Sequence, residues 1–226
     1  MINRLNIPVD DATRVSALWQ SPSPARACYV LAHGAGAGME HVFMVAVATE
    51  LQAQGIATLR YQFPYMERRA RRPDPPKICQ ATVRAAVAEA ARLGPGLPLF
   101  AGGKSFGGRM TSQAQAEASL AGVRGLVFLG FPLHAPGRPS DERGAHLFDV
   151  KIPMLFLQGT RDELAALDLL EPLIRKLGER ATLQVFQDAN HSFQTPARSE
   201  KKSAEVMHEL VQASADWMSS RASAAA

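Results

Sequence analysis

Cysteine is nearly absent from this chain. Cys28 and Cys79 are the only two in 226 residues, too few for a disulfide framework and without the spacing of a metal site. Cys28 falls inside an apolar run, which reads as a buried thiol, and so little cysteine fits a reducing cytoplasm. Long apolar stretches are missing as well. None approaches the ~20 residues that cross a bilayer, and Met1 to Asp10 carries no apolar core behind a basic start, so no secretory signal is expected. Charge of one sign is scarce outside one place: the formal net charge is +4, and much of it sits in Arg68-Arg69-Ala70-Arg71-Arg72. No aromatic residues interleave that run, as they would in a nucleic-acid surface, and Pro73, Pro75 and Pro76 beside it mark an exposed loop. The expectation is a cytoplasmic protein with neither membrane nor nucleic acid among its partners.

Strand and helix signals alternate from the third decade of residues onward. Ala27-Cys28-Tyr29-Val30-Leu31-Ala32 is a short apolar run of the buried-strand kind. A helical segment follows from His41 to Gln54 and stops at Gly55, a residue suited to a left-handed terminus. The same alternation continues with a strand at 56–63, a helix at 77–93, a strand at 97–102 and a helix at 106–118. Strands at 123–131 and 152–159, a helix at 164–177 and a strand at 182–186 complete it. A last helix carries Val206, Leu210, Ala213 and Trp217 on one face. The strands are apolar throughout rather than alternating, which implies burial on both sides. This is an α/β class: one domain over 1–226, a mostly parallel central sheet, and helices on both faces. An extra edge strand is expected around Arg14 to Trp19, and a frayed tail from Ser219 to Ala226.

The strand at 97–102 runs into Gly103-Lys104-Ser105-Phe106-Gly107, a G-x-S-x-G turn that opens a helix. A serine there is forced into a strained conformation that lifts its hydroxyl above the sheet, and its glycines permit close approach of neighbouring backbone. Such a serine is a candidate nucleophile if a base and an orienting carboxylate stand near it. Of the downstream histidines His134, His146, His191 and His208, His191 is the best base. It lies in Asp188-Ala189-Asn190-His191-Ser192-Phe193, just past the carboxyl end of the last strand, where open α/β sheets bind ligands. Asp162, in Gly159-Thr160-Arg161-Asp162-Glu163 after the preceding strand, emerges at the same edge and is the chosen acid. Asp188 is the fallback, Glu163 is read as opening the next helix, and Asp168 lies within that helix.

Acyl attack also needs preorganised donors for the oxyanion. The Phe106 backbone N–H, directly after the nucleophile, is one. The loop His33-Gly34-Ala35-Gly36 supplies the other, from Ala35 or from Gly36 beside it. A phosphate-loop reading of these glycines fails, because Gly-Ala-Gly-Ala-Gly lacks the required spacing and Pro98 stands where a glycine would precede Gly103-Lys104-Ser105.

Taken in order, His33-Gly34-Ala35-Gly36, Gly103 to Met110, Gly159 to Asp162 and Asn190 to Phe193 resemble the α/β-hydrolase superfamily over nearly the whole chain. The nearest likeness is to its small, lidless branch of dienelactone hydrolases and short-chain esterases. Dienelactone hydrolases proper carry a cysteine where this chain has Ser105. That departure points to cleavage of a small carboxylic ester or thioester, with no metal or cofactor. Pro132 to Val150 is long enough for a loop over the site and too short for a lid domain. Phe63, Tyr65 and Met66 are candidate pocket residues, as is His134. The resemblance also reaches hydrolase-like components of chromatin-associated complexes, so a catalytically silent scaffold is the alternative. Transfer to an alcohol or amine in place of water would use the same residues. The acyl group and the oligomeric state stay open.

Overall fold

The computed structural model describes residues 2–223. The strands are β1 (Ile2–Pro8), β2 (Arg14–Gln20), β3 (Ala27–Ala32), β4 (Ile56–Tyr61), β5 (Leu99–Lys104), β6 (Val123–Leu129), β7 (Met154–Arg161) and β8 (Ala181–Asn190). The helices are α1 (Val42–Ala53), α2 (Pro64–Glu67), α3 (Pro76–Leu93), α4 (Phe106–Glu117), α5 (Leu167–Leu177) and α6 (Ser203–Ser223). All eight strands join one sheet in the order β1-β2-β4-β3-β5-β6-β7-β8. From β4 to β8 every neighbouring pair is parallel, whereas β2 runs antiparallel to β4 and β1 antiparallel to β2.

Sequence reading did not anticipate β1. Its residues are mostly exposed and only Ile7 is buried, so no apolar pattern announces it. Its register, from Ile2 opposite Gln20 to Pro8 opposite Arg14, is set by a tight connection. There the Asp10 carboxylate accepts from the Ala12 and Thr13 amides at 2.9 and 2.7 Å. The strand expected at Arg14 to Trp19 is present as β2, but it is not the edge: β1 pairs on its outer side and takes that place.

Successive side chains of a strand point to opposite faces, and the central strands accordingly feed two cores. Val30, Ala32, Leu59, Tyr61, Ala101 and Phe128 pack on the side of α3, α4 and α5. Tyr29, Leu31, Phe100, Val127 and Leu157 pack against α1 and α6. Cys28 and Cys79 are free and buried, and burial pushes the Cys28 thiol up to about 12. In α6 Val206 and Leu210 are buried, with Ala213 and Trp217 packed against the same core.

Four parts of the chain depart from the sequence expectations. The helix expected from Leu164 begins at Leu167, because the Asp162 carboxylate accepts the Leu164 amide at 2.8 Å and shapes a turn first. Glu163 is exposed in that turn rather than opening the helix. The expected frayed tail is helical as far as Ser223, and residues 224–226 lie outside the described residues. Pro132 to Val150 does not fold over the site. Its 3₁₀ segment Glu142–Asp149 buries Gly144 and Leu147, and Leu133, Leu147 and Val150 join the core on the α4 and α5 side. His146 is anchored there by a 2.7 Å hydrogen bond to Ser112 Oγ, and burial lowers it to about 4. No lid domain is present among the described residues, and no described helix is long and apolar enough to cross a membrane.

Candidate active site

Ser105 sits where β5 passes into α4 with φ 51° and ψ −117°, a left-handed conformation that costs free energy for a residue with a side chain. The turn is possible because its flanking glycines carry no Cβ. A Cβ on Gly103 would lie 2.2 Å from the Ala32 carbonyl oxygen, and one on Gly107 would lie 2.5 Å from that of His33. The elbow is therefore pressed against the end of β3 and its following loop.

The loops that follow β7 and β8 bring the partners to the same edge of the sheet. His191 Nε2 lies 2.8 Å from Ser105 Oγ, and His191 Nδ1 lies 2.7 Å from Asp162 Oδ2. With the carboxylate beside Nδ1, that nitrogen carries the proton and donates to Asp162, leaving Nε2 to accept from the Ser105 hydroxyl. Asp162 is almost fully buried. Its Oδ1 accepts the Leu164 amide and its Oδ2 also accepts from Gln158 Nε2. Gln158, itself buried in β7, is held in turn because its Oε1 accepts the Phe131 amide at 3.0 Å. Sequence reading had no signal for Gln158, because its role arises from the packing of β7 against the turn after β6. Asp188 is not beside His191: its amide donates to Thr160 Oγ1 at 2.9 Å, and its side chain turns to a separate surface groove with Glu200 and Lys201. His208 is exposed on α6 beside Glu50, and Asp168 is exposed on α5.

Gly34 lies against the elbow, with the position of a Cβ there 3.9 Å from that of Ser105. Among the described residues, the amides of Ala35, Gly36 and Phe106 have no protein acceptor. The loop that carries the first two is held from below. His33 Nδ1 is 2.8 Å from the Gly34 carbonyl, His33 Nε2 accepts the Phe63 amide at 3.1 Å, and Tyr65 Oη donates to the Ala35 carbonyl at 2.9 Å. Burial lowers His33 to about 4, which keeps the ring neutral and able to accept at Nε2 in the neutral pH range.

A cavity of about 470 Å³ opens at Ser105 and His191. Its walls are mostly apolar, with Phe43 and Met44 from α1, Leu164 from the turn after β7 and Met207 from α6. The pocket residues expected from sequence lie elsewhere. Phe63 and Tyr65 are fully buried in the core on the opposite side, stacked with each other and edge-on to Phe106. Met66 packs against that same core. His134 is buried beneath the site: its Nε2 accepts the Ala166 amide at 2.9 Å, and its Nδ1 meets the Ala135 carbonyl at 3.0 Å. Phe43, Met44 and Met207 went unnoticed in the sequence, since an apolar helix residue facing a cavity has the same local pattern as one facing a core.

Residues 25–219 match the family model described as an alpha/beta hydrolase domain. Among solved structures, the chain is similar to a dienelactone hydrolase from Anabaena variabilis at 22% identity, with 96% of each chain covered and a TM-score of 0.76. It is also similar to an α/β serine hydrolase homologue from Coxiella burnetii at 17% identity, covering 93% of this chain and 96% of that one, with a TM-score of 0.75. A third is a protein from Xanthomonas campestris described as an α/β serine hydrolase without a lid, at 20% identity, covering 96% and 94%, with a TM-score of 0.73. At such identities these likenesses speak for the fold.

Proposed function

The chain belongs to the alpha/beta hydrolase domain family, and we propose that it cleaves a small carboxylic ester or thioester through an acyl-enzyme on Ser105. The observation that carries this reading is the unbroken hydrogen-bonded series from Ser105 Oγ through His191 to Asp162, at 2.8 and 2.7 Å, placed at the mouth of an apolar cavity. As Oγ attacks the carbonyl carbon, its proton passes to His191 Nε2 and the carbonyl electron pair moves onto oxygen. The Phe106 amide and that of Ala35, with Gly36 adjacent, receive the oxyanion. Collapse breaks the bond to the alkoxide or thiolate, which leaves with the proton from His191. Water then repeats the sequence: His191 takes its proton, the acyl carbon gains the hydroxyl, and Ser105 is restored. Asp162 orients the ring and offsets its charge while Nε2 holds the proton.

Phe43, Met44, Leu164 and Met207 offer apolar contact area suited to an acyl group of modest size, in a cavity that Lys104, His41 and Gln194 also line. A fluorophosphonate probe and a p-nitrophenyl ester series test the reading directly. Wild type is expected to be labelled and to hydrolyse the short esters. Ser105→Ala should lose labelling and fall in kcat by ~10⁶-fold, as when other serine triads lose their nucleophile. Equal labelling of both proteins, or labelling of neither, would overturn the assignment.

A further inference from the structure

The residue between the first glycine and the serine of the elbow is a lysine, and its ammonium turns away from the nucleophile towards the base. Lys104 Nζ donates to the His191 backbone carbonyl at 2.6 Å, joining residues 87 apart in the chain. The rings of Phe43 and Phe193 lie 5.8 and 5.6 Å from it, within the range of cation–π attraction. The turn after β6 leaves room for it. A Cβ on Gly130, where φ is +74°, would lie 3.1 Å from Lys104 Nζ, 3.4 Å from His191 Nδ1 and 3.5 Å from Asp162 Oδ2. The ammonium therefore shares one small space with the His191–Asp162 pair.

Lys104 is part-buried at the wall of the cavity, and even partial withdrawal of an ammonium from water is costly for a mere filler. Burial pushes Lys104 down to about 7, with the Asp162 carboxylate pulling the other way. Of the titratable groups around it, Asp162 beyond β7 and His191 beyond β8 face it. The turn after β6 and helix α1 present Gly130 and Phe43, while His41 lines the same cavity from the start of α1. The turn that carries His191 is shaped locally by Asn190, whose Oδ1 accepts the Ser192 and Gln194 amides at 2.9 Å each. Those bonds shape the turn itself but do not place it relative to Ser105. The Lys104 contact does, because Lys104 is bonded directly to Ser105 while its side chain grips the backbone of the base.

We propose that Lys104 is a positioning residue that sets the distance and angle between Ser105 and His191 by tying the carbonyl of the base to the strand that carries the nucleophile. This rests on the hydrolase reading above, and its test must fail separately from it. Lys104→Met keeps the stem and suits the two phenyl rings but cannot donate. Lys104→Gln keeps a donor and drops the charge.

The expected result for Lys104→Met is a kcat lower by roughly tenfold to a hundredfold, the size of a small misplacement at a reacting pair. KM should hold, and the thermal midpoint should be unchanged or higher, since an apolar side chain replaces a partly desolvated charge. Lys104→Gln should recover most of kcat. The downfield proton resonance of His191 Nδ1–H should shift or broaden in Lys104→Met and return in Lys104→Gln. If wild type labels at Ser105 while kcat and the resonance are unmoved in Lys104→Met, the positioning role is overturned and the hydrolase reading stands. A fall in kcat matched by a lowered thermal midpoint, with the resonance unmoved, also overturns it. If wild type does not label, the hydrolase reading is what fails, and the resonance alone then decides the Lys104 tie: displaced in Met and restored in Gln supports it, unmoved in both overturns it.

Discussion

On one face of the sheet, next to Ser105, the rings of His33, Phe63, Tyr65 and Phe106 close on one another with centroids 5.0 to 6.2 Å apart. On the other face, Phe43, Met44 and Met207 stand back around a cavity of about 470 Å³. Both regions are rich in large apolar side chains and both reach the elbow, yet they serve it differently. In the packed cluster the polar atoms of the rings are directed at backbone: His33 takes the Phe63 amide and Tyr65 holds the Ala35 carbonyl. The aromatic cluster thus braces the loop whose amides face the site. In the open region Phe43, Met44 and Met207 carry no polar group that braces backbone, and their surfaces face the cavity where the proposed acyl group would lie. Large apolar residues beside Ser105 therefore do not all line the cavity; those packed with His33 and Tyr65 brace a loop instead.

The hardest way to break this comparison is Phe63→Ala. If the cluster is a brace, removing a fully buried ring costs about 3–5 kcal/mol of stability, read as a lower urea midpoint. The acyl-length preference of the protein that remains folded should match wild type. A changed preference at unchanged stability would show that Phe63 meets substrate after all, and the distinction between the two regions would collapse.

The same contrast explains what could be read from the chain before its structure. Ser105, Asp162 and His191 each sit just after a strand, and strands of a parallel sheet all deliver their following loops to one edge. Three local patterns therefore sufficed to place them together. The β3-to-β7 core was legible for a similar reason: runs such as Leu31, Val127 and Phe156 are buried on either face, so no alternation had to be read, whereas the edge strand β8 is mostly exposed and departs from the expected two-sided burial. Phe63, Tyr65 and Met66 also follow a strand, and that rule pointed them at the site. It fails there because Phe63 continues the facing of Tyr61 into the α3-side core. Lys104 and Gln158 were invisible, since each acts on a residue brought near only by the tertiary fold. The β1 strand was missed because one buried residue, Ile7, makes no pattern.

The open side can be tested with a smaller expected effect. Met207 lines the cavity from α6 and is only half-buried, so Met207→Trp should narrow the space with little effect on the urea midpoint. Hexanoyl p-nitrophenyl ester should lose about tenfold in kcat/KM relative to the acetyl ester, the discrimination a few methylenes command in an apolar pocket. Equal losses for both esters would place the acyl group elsewhere and leave the open region without its assigned use.

The smallest effect expected, and the sharpest division between brace and filler, comes from Tyr65→Phe. The ring and its contacts with Phe63 and Phe106 survive this change, while the donor to the Ala35 carbonyl is lost. A neutral hydrogen bond of this kind contributes about 0.5–1.5 kcal/mol, and Ala35 is partly exposed, so water can take over as donor to its carbonyl. Stability should then change little. The peptide joining Ala35 to Gly36 would lose its fixed orientation, however, and with it part of the alignment of the amides that meet the oxyanion. Because such donors act on charge that develops only in the transition state, the loss should fall on kcat, roughly three- to tenfold, with KM held. A fall in the urea midpoint with kcat intact would make Tyr65 a packing residue and no more. A fall in kcat at constant stability would mean that the closed wall, though it never touches substrate, takes part in the chemistry through the backbone it holds.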